Sequence, residues 1–317
     1  MSFIVITAVL FIALLFYFRI ADKFNIIDKP NSRSSHTEVT IRGAGIIFPL
    51  AIIIYAVVFG KVSFMLVGGA VLISLISFLD DLYTLPNRVR LMVQLLAVSS
   101  IIFVVDGFSS WPLWSLPIIY VLFIGCINAY NFMDGINGIT GLYSLVAFVS
   151  LLYVNSRVAF VDPPFIILGI LACLVFLFFN FRKRAKCFAG DVGSVGVAFW
   201  LISIIIMLIA ATRDFKYVLF LSVYGVDAIL TIVHRLMLRQ NIFDAHRLHF
   251  YQILANDRNI PQLYVSTLYA ALQLLLNVII VNADLQFLML FCLLNIPLCI
   301  LYVFLKPRFM KNHILSR

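Results

Sequence analysis

The chain is dominated by repeated apolar stretches, each about as long as a helix that crosses a bilayer. A transmembrane helix needs roughly 20 mostly apolar residues. Stretches close to that length recur along all 317 residues, and the polar segments between them are short. Only 12% of the residues are charged, whereas soluble domains carry about a quarter. The sequence therefore predicts an all-α polytopic membrane protein, a single integral membrane domain over residues 1–317.

The apolar stretches predict ten or eleven transmembrane helices. They lie near 2–20, 44–60, 63–79, 91–106, 113–132, 138–155, 164–181, 193–211, 216–234, 263–282 and 286–305. No small-residue cleavage site follows the first of them, which we expect to be a retained helix rather than a signal peptide.

The distribution of Lys and Arg predicts the orientation. Of the 23 basic residues, 19 fall in alternate connections and in the C-terminal segment, and only Lys61, Arg157, Arg213 and Lys216 fall on the opposite side. Basic loops stay in the cytoplasm. We therefore expect a periplasmic N-terminus and a cytoplasmic C-terminus. The net charge of +9 reflects this bias and attraction to anionic lipid headgroups, and it does not indicate nucleic-acid binding.

The segment "NAYNFMDGINGIT" (128–140) is polar within an otherwise apolar region. Asn131 and Asp134 are three residues apart and therefore neighbours on a helix, and Asn128 adjoins them at the end of the fifth span. Gly135 and Gly138, on either side of Asn137, are expected to break the helix and to let a ligand approach the backbone. A helix cap followed by a tight turn would also explain Asn and Gly here. The segment is therefore either part of a ligand site or only the cap and turn that end a helix.

Further carboxylates occur at the same predicted face. Asp80 and Asp81 end the third span, Asp191 lies between glycines at the start of the eighth, and Asp227 lies within the ninth. Ionisable groups in membrane helices are functional candidates by default. Interfacial solvation of the Asp80–Asp81 pair, or pairing of Asp227 with Arg235 or Lys186, would be structural alternatives.

Neighbouring carboxylates at a membrane face suit a divalent cation or a proton-accepting role. Basic and histidine side chains on the same side would complement a diphosphate. These are Arg33, His36, Arg42, Lys186, His246, Arg247 and His249.

Five motifs, in order, resemble the polyprenyl-phosphate N-acetylhexosamine-1-phosphate transferases, which form glycosyl transferase family 4. The motifs are "DKPNSRSSH" (28–36), "DD" (80–81), "NAYNFMDGING" (128–138), "GDVGS" (190–194) and "AHRLHFYQ" (245–252). The last resembles the branch that begins O-antigen and related surface polysaccharides. The chain departs from the family in "EVTIRGAG" (38–45), which lacks two prolines and the middle glycine of P-T-P-R-G-G-G, and in the more basic link "FNFRKRAKCFAGD".

The resemblance implies an enzyme of the bacterial inner membrane with its active site at the cytoplasmic face. A UDP-N-acetyl sugar and undecaprenyl phosphate would react there with release of UMP and with Mg²⁺ as cofactor, for which Mn²⁺ could substitute. Asp191 would be the main metal ligand, assisted by Asp80 or Asp81, one of which would orient or deprotonate the lipid phosphate. Asn128, Asn131, Asp134 and Asn137 would line the nucleotide-sugar cleft, where Asn131 and Asp134 would hold the nucleotide end or support the metal's ligands. The residues His246, Arg247 and His249 would hold the sugar or diphosphate.

Other classes fit the sequence less well. A secondary transporter would place its ionisable groups near the bilayer midplane, usually in repeated broken helices, and no repeat is visible. A lipid-binding scaffold would give no reason for acidic helix ends. Which UDP-sugar is used, and whether the protein forms a homodimer, stay open.

Overall fold

The computed structural model describes residues 2–30, 35, 38–241 and 246–310, which fold almost entirely into helices. The helices are α1 (Phe3–Lys23), α2 (Ile47–Phe59), α3 (Phe64–Tyr83), α4 (Asn87–Val104), α5 (Gly107–Ser110), α6 (Leu116–Phe132), α7 (Ile139–Val158), α8 (Pro163–Asn180), α9 (Gly190–Thr212), α10 (Ser222–Met237), α11 (Phe250–Gln252), α12 (Gln262–Asn282) and α13 (Phe287–Phe309). Short 3₁₀ segments cover Ala44–Ile46, Leu113–Ser115 and Phe215–Leu221, and a π-helix covers Ile253–Asp257.

The predicted fold class is confirmed. Ten helices in the described part of the chain are long and apolar enough to cross a membrane, and Ala44–Phe59 is a shorter apolar helix. Helices satisfy their backbone hydrogen bonds internally, which is the condition for crossing a lipid phase. Each lies within a few residues of a predicted span.

Helix α9 is the core of the bundle. Within its most apolar 18-residue window 89% of the residues are buried, compared with 22% for α1 and for α13. It packs against α2, α3, α6 and α7. A helix that is apolar on all sides is expected at the centre of a bundle, and small residues such as Gly193 and Gly196 let its neighbours approach closely.

The membrane-spanning stretch that contains α10 begins with an irregular segment, whose backbone is hydrogen-bonded by the side chain of Gln273. The 3₁₀ segment Phe215–Leu221 precedes α10, and its Leu219 carbonyl accepts a hydrogen bond from Gln273 Nε2 at 3.0 Å. Gln273 Oε1 accepts from Val223 N at 3.0 Å and from Tyr143 Oη at 2.6 Å. Irregular backbone is tolerated at this depth only where protein groups satisfy it.

Short strands join two loops at one end of the bundle. Strands β1 (Ile27–Asp28) and β2 (Thr40–Ile41) pair antiparallel, and Ile41 also bridges to Cys187 in the loop before α9. We call this end the basic face, defined by the described parts of segments 24–43, 84–86, 133–138, 181–189 and 238–261. The opposite end holds the Lys61–Asp162 ion pair. Which face is cytoplasmic stays a prediction.

Candidate active site

Three carboxylates and two arginines meet at the basic face. Asp80 and Asp81 lie in the last turn of α3, and Asp191 lies in the first turn of α9. Arg42 Nη2 is 2.6 Å from Asp81 Oδ1, and Arg90 Nη1 is 3.1 Å from Asp80 Oδ2. The same two guanidinium groups are 3.8 and 3.9 Å from the oxygens of Asp191. Asp191 is therefore flanked by both cations but is not in close contact with either.

Asp81 holds the start of α9. Its side chain is fully buried and accepts hydrogen bonds from the backbone amides of Asp191 at 3.1 Å and Val192 at 3.3 Å. These amides belong to the positive end of the helix, where a carboxylate is stabilising. Asp80 has a similar place at the end of α3, since it accepts from Leu85 N at 2.6 Å. Both carboxylates thus position the arginines and helix ends around Asp191.

Close backbone contact brings Arg42 to this cluster. A Cβ added at Gly45 would lie 2.0 Å from Gly193 Cα, so only glycines allow the first loop to rest on α9. Backbone bonds from Ala44 N to Phe188 O and from Gly45 N to Ala189 O, both 3.0 Å, hold this contact. This contact explains the glycine at position 45 in "IRGAG" and the glycine at position 193 in "GDVGS".

Arg42 remains a cation in this setting. Burial lowers the pKa of its guanidinium, but the carboxylates of Asp81 and Asp191 outweigh burial and raise that pKa above its ordinary value. A permanently charged, fork-shaped donor beside Asp191 can bind phosphate oxygens.

The asparagines of the segment 128–138 are fixed by partners from four elements. Asn128 exchanges amide hydrogen bonds with Gln94 of α4 at 3.1 and 3.2 Å, and Asn131 Oδ1 accepts from Ser194 Oγ at 2.6 Å. Asn137 N donates to Gln262 Oε1 at 2.9 Å, and its side-chain Nδ2 donates to the carbonyl of Arg182 at 2.8 Å. The segment is therefore a junction of α4, α9, α12 and the loop after α8.

Asp134 is the titratable group of this junction. Burial, followed by the nearby carboxylate of Asp191, raises the pKa of Asp134 to about 6. At Gly138 the chain turns with φ +84° and donates its amide to Asn180 Oδ1 at 2.7 Å. The left-handed conformation of this turn favours glycine.

A polar cavity of about 300 Å³, cavity A, lies between the first loop, the end of α6 and the start of α9. Its lining residues are Asp28, Ser35, Arg42, Asn131, Asp134, Gly135, Ile136, Asn137, Asn180, Phe188, Ala189, Gly190, Asp191, Gln252 and Gln262. Amides, carboxylates and one arginine predominate. Such a lining suits a polar ligand with several hydrogen-bonding groups.

A second cavity of about 560 Å³, cavity B, lies between α4, α6, α10 and the loop that follows α10. Its lining residues are Asn87, Arg90, Leu91, Gln94, Ile124, Asn128, Asn131, Phe132, Asp191, Ile232, His246, His249 and Gln252. Leu91 and Phe132 are 48% and 42% exposed at the outer surface of the bundle. Cavity B therefore joins a charged end at Asp191 and Arg90 to an apolar outer side. Asn131, Asp191 and Gln252 line both cavities.

The histidines belong to cavity B. The ring centroids of His246 and His249 are 4.9 Å apart. Burial, followed by His249 and Arg235, lowers the pKa of His246 to about 3. Its Nδ1 accepts from Leu248 N at 3.2 Å, so the neutral ring carries its proton on Nε2. His246 therefore acts as a neutral hydrogen-bond donor. That His246 and His249 hold the sugar or the diphosphate stays a prediction.

The structure places Asp227 outside both cavities, and its direct binding of substrate stays a prediction. Asp227 is 2% exposed and lines neither cavity. Its oxygens accept from Phe250 N at 2.9 Å, Tyr251 N at 3.3 Å and Tyr269 Oη at 2.7 Å, and His249 Nδ1 lies 3.4 Å away. The carboxylate oxygens are therefore occupied by donors from the loop that carries the histidines and from Tyr269 of α12. Neither Arg235 nor Lys186 is its partner in these contacts.

Other predicted residues are dispersed. Lys186 is exposed and, like Arg247, lines neither cavity. Arg33 and His36 lie outside the described residues. Asp80 and Asp81 are beside the cavities without lining them, so a direct role for either in metal binding or proton transfer stays a prediction.

Several residues of the cavities lie outside the sequence-based site, among them Arg90, Gln94, Gln252 and Gln262. Arg90 entered the sequence analysis only through its charge, although it follows Asp80 by ten residues, across the turn 84–86 and in the first turn of α4. Gln94, Gln252 and Gln262 are neutral and lie in helices, where nothing in the pattern separates them from packing residues. Gln252 was noted only as part of a motif.

The donor set of the cluster fits a hard divalent cation. Among the described residues no group of three His, Cys, Asp or Glu side chains stands ready to hold a metal ion. Mg²⁺, however, commonly uses one or two carboxylates and takes its other oxygens from phosphates and water. Asp191 has that character, because its ion pairs are long and its side chain is 22% exposed toward both cavities.

Comparison with known proteins agrees with this geometry. Residues 63–209 match the family model described as Glycosyl transferase family 4, a stretch that runs from the N-cap of α3 into α9 and includes Asp80, Asp81, Asp134 and Asp191. Comparison with curated proteins gives no match. The match covers just under half of the chain; together with the membrane-spanning helices it supports assignment to glycosyl transferase family 4 and, at a general level, sugar-phosphate transfer to a polyprenyl phosphate.

Proposed function

We propose that this protein transfers an N-acetylated sugar 1-phosphate from a UDP-sugar to undecaprenyl phosphate and releases UMP. The reaction would be the first membrane step of O-antigen or related surface polysaccharide synthesis, at the cytoplasmic face of the bacterial inner membrane. The observation that carries the proposal is the position of Asp191, which lies between a polar cavity and a cavity with an apolar outer side. Two substrates of opposite character, one in each cavity, could meet beside Asp191.

Cavity A suits the UDP-sugar. Its amides, from Asn131, Asn137 and Gln262, offer donors and acceptors to uracil, ribose and acetamido groups. Arg42 offers a fixed positive charge to the diphosphate from the side of the first loop.

Cavity B suits the lipid phosphate and the first part of its chain. Arg90 and the Nε2–H of His246 would hold phosphate oxygens, and Leu91, Ile124 and Phe132 would contact the isoprenoid units. The exposed apolar side chains at its rim, such as Leu91 and Phe132, would face lipid tails, so that the polyprenyl chain need not leave the membrane.

The chain's own residues would act mainly by positioning and by neutralising charge. A phosphate monoester has its second pKa near 6 and is already an anion at neutral pH, so the nucleophile needs little activation. Arg42 and Arg90 flank the point where it would approach the sugar-bearing phosphorus, and they would hold the developing charge on the diphosphate oxygens. The bond to UMP breaks as the new phosphoanhydride forms, and UMP carries the electron pair away.

Asp191, with phosphate oxygens of the substrate, would hold Mg²⁺ or Mn²⁺ at the junction. The metal would supply charge neutralisation at the diphosphate. Asp80 and Asp81 would prevent the two arginines from forming close ion pairs with Asp191, because each carboxylate already pairs with one of them.

The test follows the phosphate next to the sugar. Purified protein is incubated with undecaprenyl phosphate, Mg²⁺ and UDP-N-acetylglucosamine labelled in that phosphate, and then with other UDP-acetamido sugars. Label should pass into the lipid fraction with release of UMP, and added UMP should return it to the UDP-sugar. Label that leaves as UDP would show glycosyl transfer at the anomeric carbon and refute the proposal. No transfer from any UDP-acetamido sugar would refute the substrate class.

A further inference from the structure

The last helix carries a lysine that is buried at the basic face. Lys306 is 4% exposed, and its Nζ donates to Thr231 Oγ1 at 3.2 Å and to Tyr302 Oη at 2.5 Å. Burying an ammonium group is costly unless its donors are satisfied and a counter-charge is near. Lys306 lies far along the chain from every motif of the active site, and the proposed reaction gives it no task.

Thr231 connects this lysine to Asp227. Thr231 Oγ1 accepts a hydrogen bond from Lys306 Nζ and lies 3.2 Å from Asp227 Oδ1, to which its hydroxyl can donate. Tyr302 Oη is 2.6 Å from Thr231 Oγ1, and the Leu248 carbonyl is 3.4 Å from it. Lys306, Tyr302, Thr231 and Asp227 therefore form one connected cluster of hydrogen bonds.

Asp227 in turn fixes the loop that forms the wall of cavity B. It accepts the backbone amides of Phe250 and Tyr251 at 2.9 and 3.3 Å, and its Oδ1 is 3.4 Å from His249 Nδ1. Tyr251 Oη donates to the carbonyl of Phe132 at 3.0 Å, so the loop is also tied to the end of α6. The same bonds that satisfy the carboxylate thus set the position of His249.

We infer that Lys306 is a positioning residue for the wall of cavity B, because it holds Thr231 and Tyr302 beside the Asp227 carboxylate that accepts the Phe250 and Tyr251 amides. Without the lysine, Thr231 and Tyr302 would lose the donor that fixes them, and the carboxylate would hold those amides less well. That the wall receives the lipid phosphate rests on the proposed function. The hydrogen-bonded link from α13 to the loop does not depend on the proposed function.

The first test needs no substrate. Hydrogen exchange of the peptide containing residues 248–256 is measured by mass spectrometry in the full-length protein in detergent. Lys306→Met should speed the protected exchange of the Phe250 and Tyr251 amides about tenfold or more, the scale of one hydrogen bond to a charged group. The matched control is Lys216→Met, which removes another partly buried lysine, one that contacts Asp214 and Ala283 away from the loop. Equal exchange in wild type and Lys306→Met, or an equal change in Lys216→Met, would overturn the inference.

A double-mutant cycle tests the route through Asp227. In an Asp227→Asn background the carboxylate is absent, so Lys306→Met should add less than about a twofold further change in exchange. Effects that multiply in full would show that Lys306 acts on the loop by another route and would overturn the inference.

Kinetics separates positioning from general stability. Lys306→Met should raise the apparent KM for undecaprenyl phosphate about fivefold or more and leave that for the UDP-sugar within about twofold, whereas Lys216→Met should change neither. An equal rise in both constants would reject a role specific to cavity B. Should wild-type protein show no transfer at all, the proposed function fails by itself, and the exchange experiment still decides whether Lys306 holds the loop.

Discussion

Replacing Gly45 with alanine should disrupt the active site through its backbone. The added Cβ would lie 2.0 Å from Gly193 Cα, 2.7 Å from Gly193 N and 2.8 Å from Ala189 O. Carbon atoms not bonded to each other normally stay about 3.5–4.0 Å apart, so the first loop and α9 must separate by roughly 1.5 Å. All three obstructing atoms belong to the backbone and cannot rotate away. We expect a loss of about 1–3 kcal/mol in the free energy of unfolding, the usual cost of overpacking.

The same displacement should cost activity out of proportion to stability. Arg42 lies just before Gly45, and Asp191 just before Gly193, so the shift acts on the 2.6 Å contact between Arg42 and Asp81 and on its spacing from Asp191. A misplacement of about 1 Å at a reacting centre can reduce the rate about 100-fold. We expect a loss of that order in kcat/KM for the UDP-sugar.

The assay combines thermal unfolding in detergent with sugar-phosphate transfer, and its control is Gly68→Ala. Gly68 also lies in an apolar helix, but its added Cβ would meet nothing within 4 Å. That variant should keep its activity and gain up to about 1 kcal/mol, because alanine favours helix. If Gly45→Ala unfolds at the wild-type temperature and keeps its activity within about threefold, the contact between the glycines does not determine the site and this reasoning is refuted.

Three further outcomes are expected. Asp191→Asn should reduce kcat more than tenfold at saturating Mg²⁺, a loss of at least about 1.4 kcal/mol, while Asp162→Asn, which removes a carboxylate at the opposite face, should keep normal turnover; equal rates would remove Asp191 from the centre. His246→Ala should raise the apparent KM for undecaprenyl phosphate more than that for the UDP-sugar, because His246 lines cavity B, and the reverse order would assign the two cavities wrongly. Asp134 ionises near pH 6 in the fold rather than at its ordinary 3.8, so its charged form costs stability as the pH rises through that window. Asp134→Asn should therefore unfold at a higher temperature relative to wild type at pH 7 than at pH 4, and a difference independent of pH would contradict the raised pKa.

The transmembrane helices were predictable because each must be apolar over a fixed length. The main discrepancy is α4, which begins at Asn87 rather than near 91, since Arg88 and Arg90 can join a helix that starts at the membrane surface. The carboxylates of the cluster and the junction at 128–138 were also predictable, because polar residues in so apolar a chain are conspicuous.

The pairing of these residues was not predictable. Arg42 contacts Asp81 and Asp191 from a loop whose position depends on the contact between Gly45 and Gly193, and no local spacing encodes such a contact. Asp227 attracted attention as a buried acid, but its partners come from α12 and from the loop after α10, so its supporting role follows from tertiary packing alone. Gln262 gave no signal, since a neutral amide at the end of a helix has many ordinary uses, and Gln252 was marked only by its place in a motif.

The two cavities share only three lining residues, so each cavity could change largely independently of the other. A change at Asn131, Asp191 or Gln252 touches both cavities and cannot alter one substrate without disturbing the other. Phe188, Asn180 and Gln262 line cavity A alone, while Leu91, Ile124 and Ile232 line cavity B alone. A new donor sugar could thus be accommodated by changing side chains of cavity A alone, and a shorter polyprenyl acceptor by changing those of cavity B alone.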